Sequence, residues 1–207
     1  TTSDGLSSNN IWGILPGRDG RLWLATLGGG LQLFDPATGT FRTFNKSNSN
    51  INTDHVTSLA RSRDGSIYVG TTYGIARVNP TDCSITGLTG RDRTGRGLSN
   101  LNVTQLATDS RGLLWVGTRE GLEVYDSKAD TIYDIGLSER FPNPFILGVT
   151  EGADHTMWVA VGNELFNIKT GQTRPYSCLS FTVSTFGSHD GILSGAFNQR
   201  SMCLLPS

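Results

Sequence analysis

The sequence predicts an all-β chain built from repeated four-stranded antiparallel units, and three observations carry that prediction. One stretch recurs in near-copies: Gly20-Arg21-Leu22-Trp23-Leu24-Ala25-Thr26, Gly65-Ser66-Ile67-Tyr68-Val69-Gly70-Thr71, Gly112-Leu113-Leu114-Trp115-Val116-Gly117-Thr118, and the degenerate His155-Thr156-Met157-Trp158-Val159-Ala160-Val161. Its aromatic falls at 23, 68, 115 and 158, in steps of 45, 47 and 43 residues, and the expected first-strand starts at Ile11, Val56, Val103 and Ile146 keep the same steps. No segment sustains an apolar 3.6 period over the roughly eleven residues that a convincing helix needs. Four short strands per repeat of about 40–50 residues are the signature of a β-propeller blade.

The first repeat shows the scheme. Ile11-Trp12-Gly13-Ile14-Leu15 is an apolar run, Pro16-Gly17-Arg18-Asp19-Gly20 a turn, and Leu22-Trp23-Leu24-Ala25 a second run. Gly28-Gly29-Gly30, Leu31-Gln32-Leu33-Phe34, Asp35-Pro36-Ala37-Thr38-Gly39 and Thr40-Phe41-Arg42-Thr43-Phe44 complete it. The first two strands are apolar on both faces and belong inside a stack, whereas the last two alternate and belong near its rim. Turns at Arg63-Asp64-Gly65 and Asn79-Pro80-Thr81-Asp82 mark the second repeat, and Asp109-Ser110-Arg111-Gly112 and Asp126-Ser127-Lys128-Ala129-Asp130 the third. The fourth passes Glu151-Gly152-Ala153-Asp154 and Lys169-Thr170-Gly171. Blades are expected at about 8–44, 53–88, 100–135 and 143–177, with an incomplete fifth unit at 178–207 of one partial propeller spanning 1–207. Trp23, Tyr68, Trp115 and Trp158, one per blade inside an apolar strand, read as packing between blades.

Composition narrows the function classes. A net charge of -1 and a pI near 6.2 leave no electrostatic footprint for nucleic acid or an anionic membrane. No apolar run approaches the roughly 20 residues that span a bilayer, and Thr1-Thr2-Ser3-Asp4-Gly5 opens no signal peptide. Without an initiator Met, the chain reads as a piece or mature portion of something longer. Cys83, Cys178 and Cys203 have no CxxC spacing, so neither zinc nor a disulfide scaffold is signalled, and they read as buried small hydrophobes. Pairing of Cys178 with Cys203 is open for an extracytoplasmic chain.

Gly5-Leu6-Ser7-Ser8-Asn9-Asn10-Ile11 leading into Asp19-Gly20-Arg21-Leu22-Trp23, and Gly97-Leu98-Ser99-Asn100-Leu101-Asn102-Val103 leading into 109–118 and Gly121-Leu122, resemble the two-component regulator propeller repeat. Asp190-Gly191-Ile192-Leu193 through Phe197-Asn198 is similar to that family's pattern near the end of a propeller. The resemblance covers essentially the whole chain. It departs in the fourth repeat, where His155 replaces the turn glycine and Val161 the threonine. The resemblance implies a periplasmic sensor module of Bacteroides-type hybrid two-component systems, usually two seven-bladed propellers ahead of a β-sandwich, a membrane helix, a histidine kinase and a DNA-binding regulator. It also implies oligosaccharide ligands, no catalysis and no cofactor in this segment, and the remaining blades and signalling domains of a longer chain as partners. An open arc would expose apolar end faces, a site for homodimerisation. A protein-interaction scaffold, and a glycan hydrolase or lyase with its catalytic residues on further blades, are the alternative readings.

Ligand contacts are expected from loops entering first strands and from the turns between second and third strands. The loop Arg91-Asp92-Arg93-Thr94-Gly95-Arg96 offers three guanidinium groups, forks for the carboxylate or sulfate of an acidic sugar. Tyr73 offers an aromatic face with a hydroxyl, and Arg119 and Glu120 lie at the corresponding turn of the third repeat. His55 and His189 are placed at one end of the blades and His155 at the other, which disfavours a metal site. Asp109 to Trp115 superficially resembles the Asp-box of sialidases, but Asp109 precedes Gly112 by three positions rather than two. Glu120, Glu123, Glu139, Glu151 and Glu164 are scattered, so no paired glycosidase carboxylates are expected.

Overall fold

The computed structural model describes residues 1–88, 91–92, 95–142, 144–173, 178–192, 197–198 and 202. Among them the regular structure is all β apart from short 3-10 turns. The first sheet runs β1 (Ile11–Pro16), β2 (Leu22–Thr26), β3 (Gly30–Asp35) and β4 (Thr40–Phe44), and the second β5 (Val56–Arg61), β6 (Ile67–Thr71), β7 (Gly74–Val78) and β8 (Ile85–Leu88). The third holds β9 (Val103–Thr108), β10 (Leu114–Thr118), β11 (Leu122–Asp126) and β12 (Thr131–Asp134). The fourth holds β13 (Ile146–Glu151), β14 (Met157–Val161), β15 (Glu164–Thr173) and β16 (Cys178–Phe186). Each is an up-and-down meander with strands in sequence order, the architecture of propeller blades.

Local chemistry sets the hairpins. Between third and fourth strands, Asp35, Asn79 and Asp126 each use a side-chain oxygen to accept the N–H two residues on, from Ala37, Thr81 and Lys128, at 2.9–3.0 Å. The residue that returns the chain is left-handed: Gly39 at φ 70°, Cys83 at 60° and Asp130 at 47°. Between first and second strands Gly20, Gly65 and Gly112 take φ of 82°, 93° and 90°. His155 occupies the same place in the fourth repeat at 61°, so the turn keeps its geometry without the glycine.

The chain divides into two compact units, Thr1–Arg91 with Leu101–Leu106, and Asp92–Asn100 with Ala107–Ser207. In the first unit Trp23, Leu31, Phe44, Val56, Ile67 and Val69 share one buried cluster. In the second, Trp115, Leu122, Ile146, Met157, Val159 and Phe166 do so. Packing depends on small residues of the second strand. A Cβ on Gly70 would stand 2.7 Å from Cγ1 of Val103, and one on Gly117 would stand 2.5 Å from Cγ2 of Ile146. The third strands β3, β7 and β11 are buried along most of their length rather than alternating.

First strands do not share one environment. Val56, Val103 and Ile146 are fully buried, whereas Ile11 and Ile14 of β1 are 40% and 59% exposed. Of the repeat aromatics, Trp23, Tyr68 and Trp115 are buried and Trp158 is half-buried against Phe186, with ring centroids 5.6 Å apart.

The fourth sheet corrects the expected boundary at residue 177. Lys169-Thr170-Gly171, read as a turn, lies inside β15, and the chain from Cys178, read as opening a fifth unit, is the fourth strand of this sheet. The ladder runs from Leu165↔Phe186 to Thr173↔Cys178, with Thr170 opposite Phe181 and Gly171 opposite Ser180. Leu179, Phe181 and Val183 pack against the second unit's core, and that alternating apolar face carries pairing past a local turn signal. Pairing of Cys178 with Cys203 falls outside the described residues.

Candidate functional site

The turns between second and third strands are closed by the repeat's threonine. The Oγ1 of Thr26 donates to the Gly30 carbonyl at 2.7 Å, that of Thr71 to Gly74 at 2.8 Å and that of Thr118 to Gly121 at 3.1 Å. The same hydroxyls accept from the turn: the Tyr73 N–H bonds Thr71 Oγ1 at 3.0 Å and the Glu120 N–H bonds Thr118 Oγ1 at 3.3 Å. A hydroxyl that donates once and accepts once fixes the turn backbone, which leaves the tip side chains to face solvent. Tyr73 is 62% exposed, and Arg119 and Glu120 are exposed as well. The Tyr73 carbonyl accepts from Asn52 Nδ2 at 3.2 Å, and the Arg119 guanidinium carbon lies 5.7 Å from the centroid of the Phe145 ring.

The segments entering first strands are pinned to the same hairpins. In the first repeat the Ser7 N–H donates to Gln32 Oε1 at 2.9 Å, while Gln32 Nε2 donates to the Gly5 carbonyl at 3.2 Å and to Thr43 Oγ1 at 2.9 Å. In the third, the Ser99 N–H donates to Glu123 Oε1 at 2.9 Å, and the hydroxyls of Ser99 and Thr118 lie 2.9 Å apart. Gln32 pairs with Leu24 and Glu123 with Val116, so the two side chains hold equivalent register positions. Gln32 has an amide to satisfy both partners; Glu123 is 2% exposed, and its Oε2 has no hydrogen-bond partner among the described residues. Burial pushes the Glu123 carboxyl up to about 7, against the pull of its bond from Ser99. The fourth repeat has Phe166 at this position, with Phe141 edge-on to it at 6.3 Å between centroids.

Asp92 organises its part of the arginine loop. This residue, 7% exposed, accepts the Arg96 N–H at 3.0 Å through Oδ1 and the Ile132 N–H at 3.0 Å through Oδ2. Arg96 Nη1 adds a bond to the Ile132 carbonyl at 3.4 Å. Asp92 and Arg96 are therefore tied to β12, the edge strand opposite β9 in its sheet, and Arg96 remains exposed. Arg91 is exposed too, and Arg93 lies outside the described residues. Thus Arg119 and Glu120 share one turn and Tyr73 occupies the equivalent turn of the second sheet, while Arg96 is tied to a sheet edge.

The remaining candidates have structural company. His155 Nδ1 lies 3.1 Å from Ser110 Oγ and 3.5 Å from Glu151 Oε1, while His55 bridges to Leu27. Cys83 is a buried free thiol. Among the described residues no group of three or more His, Cys, Asp or Glu side chains is placed to hold a metal ion, and no helix is long and apolar enough to cross a membrane. Sequence reasoning missed Asp92 and the Gln32 and Glu123 anchors. A signal was available in the last two: polar residues recur at one register position between apolar neighbours.

Similarity to known proteins follows the geometry. The two component regulator propeller family matches at residues 5–28 and 97–120, the stretches that hold the Ser7 and Ser99 anchors and the following hairpins. No curated protein matches the chain by sequence. Among solved structures, a chain described as the extracellular domain of hybrid two component system BT4673 from B. thetaiotaomicron superposes with a TM-score of 0.69 at 20% identity, over 88% of this chain and 25% of that one. Its counterpart from system BT3049 of the same organism gives 0.61 at 17% identity, over 93% and 31%. Virginiamycin B lyase from Staphylococcus aureus gives 0.63 at 14% identity, over 88% and 57%. The chain thus spans about a quarter of the length of the first of these. The protein is a segment of β-propeller fold in which two stretches, residues 5–28 and 97–120, match the two component regulator propeller family.

Proposed function

We propose that this chain is a non-catalytic ligand-sensing segment of the periplasmic part of a hybrid two-component sensor, and that its ligand is an oligosaccharide. The observation that carries the reading is the repeat itself, present twice with its loop anchors intact. It holds exposed Tyr73, Arg119 and Glu120 on backbone turns that a buried threonine locks. Tyr73 and Arg91 in the first unit, and Arg96, Arg119 and Glu120 in the second, are the ligand contacts that each unit offers. An aromatic face stacks on a sugar ring, and charged forks bond its hydroxyls or acidic groups. Further blades of a longer chain cover the exposed Ile11, as Val56, Val103 and Ile146 are covered at the same register position. Ligand-dependent dimerisation relays the signal to the kinase and so to glycan-use genes.

Calorimetric titration with a panel of neutral and acidic oligosaccharides tests this. Saturable binding by the folded chain is expected, weakened about tenfold or more by Tyr73→Ala or Arg119→Ala. Binding that both variants leave unchanged removes these turns from the site. Turnover of a labelled polysaccharide would favour a hydrolase or lyase instead.

A further inference from the structure

At the opposite end of the first unit's hairpins from Tyr73 lies a cleft of about 370 Å³. The β1–β2 turn lines it with Arg18, Asp19 and Arg21, the β5–β6 turn with Arg61, Asp64 and Gly65, and Pro80 with Thr81 closes one side over Trp23. Each turn is rigid by its own bonding. The Gly17 N–H reaches the Arg21 carbonyl at 2.6 Å and the Ser62 N–H the Ser66 carbonyl at 2.8 Å. Arg61 donates across to the Pro16 carbonyl and so links the two turns.

The charges are unevenly matched. Asp19 pairs with Arg21 at 2.5 Å, and this guanidinium holds the Asp19 carboxyl below its ordinary range. Asp64 pairs with Arg77. Arg18 makes no hydrogen bond or ion pair among the described residues, although its guanidinium is laid over the neighbouring turn, Nη1 being 3.3 Å from where a Cβ on Gly65 would stand. Gly65 itself is in the left-handed region, at φ 93°. An oriented guanidinium on a cleft wall presents a planar fork for a carboxylate. The two flanking carboxylates, each paired with an arginine, keep lone pairs that accept hydrogen bonds from hydroxyls. A ligand that satisfies both sets carries one carboxylate and several hydroxyls. The volume, at the lower end for small-molecule sites, holds one or two sugar rings.

We infer that this cleft binds a uronic-acid unit of a saccharide, with Arg18 as the carboxylate contact and Asp19 and Asp64 as hydroxyl acceptors. The site is distinct from the turns carrying Tyr73 and Arg119 and stands or falls separately. The test is titration of the 207-residue chain with digalacturonate, its neutral counterpart digalactose, and inorganic sulfate, with circular dichroism confirming the fold. Digalacturonate is expected to bind about tenfold or more tightly than either comparator. Arg18→Ala should weaken it about tenfold or more and Arg18→Lys should restore only part, because an ammonium lacks the fork. Tyr73→Ala should leave this affinity unchanged. Absent binding, equal binding of digalactose or sulfate, an Arg18→Ala variant of unchanged affinity, or loss on Tyr73→Ala would each overturn the assignment.

Discussion

The indole N–H of Trp115 donates to Oδ2 of Asp109 at 3.2 Å, and the Asp109 side chain is wholly buried. Its Oδ1 also accepts the N–H groups of Arg111 and Leu113 at 3.0 and 2.9 Å, and Arg111 Nη2 closes on Oδ2 at 2.7 Å. Asp109 stands three positions before Gly112, where the first two repeats have Gly17 and Ser62 and carry their aspartate next to the glycine, and from there its carboxylate folds back over its own hairpin. Asp109→Ala leaves a buried indole N–H and a guanidinium without their acceptor. It should cost about 3 kcal/mol or more in urea denaturation; a loss under about 1 kcal/mol would show that water replaces the carboxylate.

Glu123 makes stability depend on pH. Its carboxyl titrates near 7 in the fold, against 4.5 ordinarily, so between these values the folded chain holds a proton that the unfolded chain has lost. Stability from this group is therefore full below pH 4.5, falls as pH rises towards 7, and levels off above, a total of roughly 3 kcal/mol. Glu123→Gln places the residue of position 32 in the same register and should abolish that slope while raising stability at pH 8. Parallel slopes for both proteins between pH 5 and 7 would refute the assignment.

Gly117→Ala should cost about 1–3 kcal/mol, because the new Cβ would meet Ile146 side-chain carbons at 2.5 and 2.8 Å. Gly117→Ala combined with Ile146→Val should not recover stability, since Cβ of residue 146 is itself one of the atoms struck. Full recovery in the double variant would show that the backbones shift apart.

His155→Gly should stabilise the chain by about 1 kcal/mol, seen as a rise of about 2–4 °C in Tm, by removing a side chain from a left-handed position. The Ser110 and Glu151 bonds, at 2.6 and 2.8 Å, do not need the imidazole. An unchanged or lower Tm would mean that His155 contributes more through Ser110 than its backbone costs.

Repeat spacing made the blades legible. Steps of 45, 47 and 43 residues mark one four-stranded unit each, and the starts expected at Ile11, Val56, Val103 and Ile146 are the starts of β1, β5, β9 and β13. The Lys169-Thr170-Gly171 turn failed because local propensity yields to a partner strand. Thr170 and Gly171 pair with Phe181 and Ser180, and nothing within three residues reports that. Exposure of Tyr73, Arg119 and Glu120 followed from the turn signature, whereas the attachment of Arg96 to Ile132 spans 36 residues and has no local trace.

By itself the sequence determined the strand periodicity, the turn chemistry and the family repeat, all of which are short-range and recur with the chain's own period. Tertiary structure alone decided which polar groups are buried. Gln32 and Glu123 look like ordinary polar strand residues until the pairing places them under Ser7 and Ser99, where one amide satisfies its partners and burial raises the other's carboxyl to about 7. It also decided that Arg18 crosses to the Gly65 turn, since the neighbour of a guanidinium is fixed by packing between sheets and not by distance along the chain.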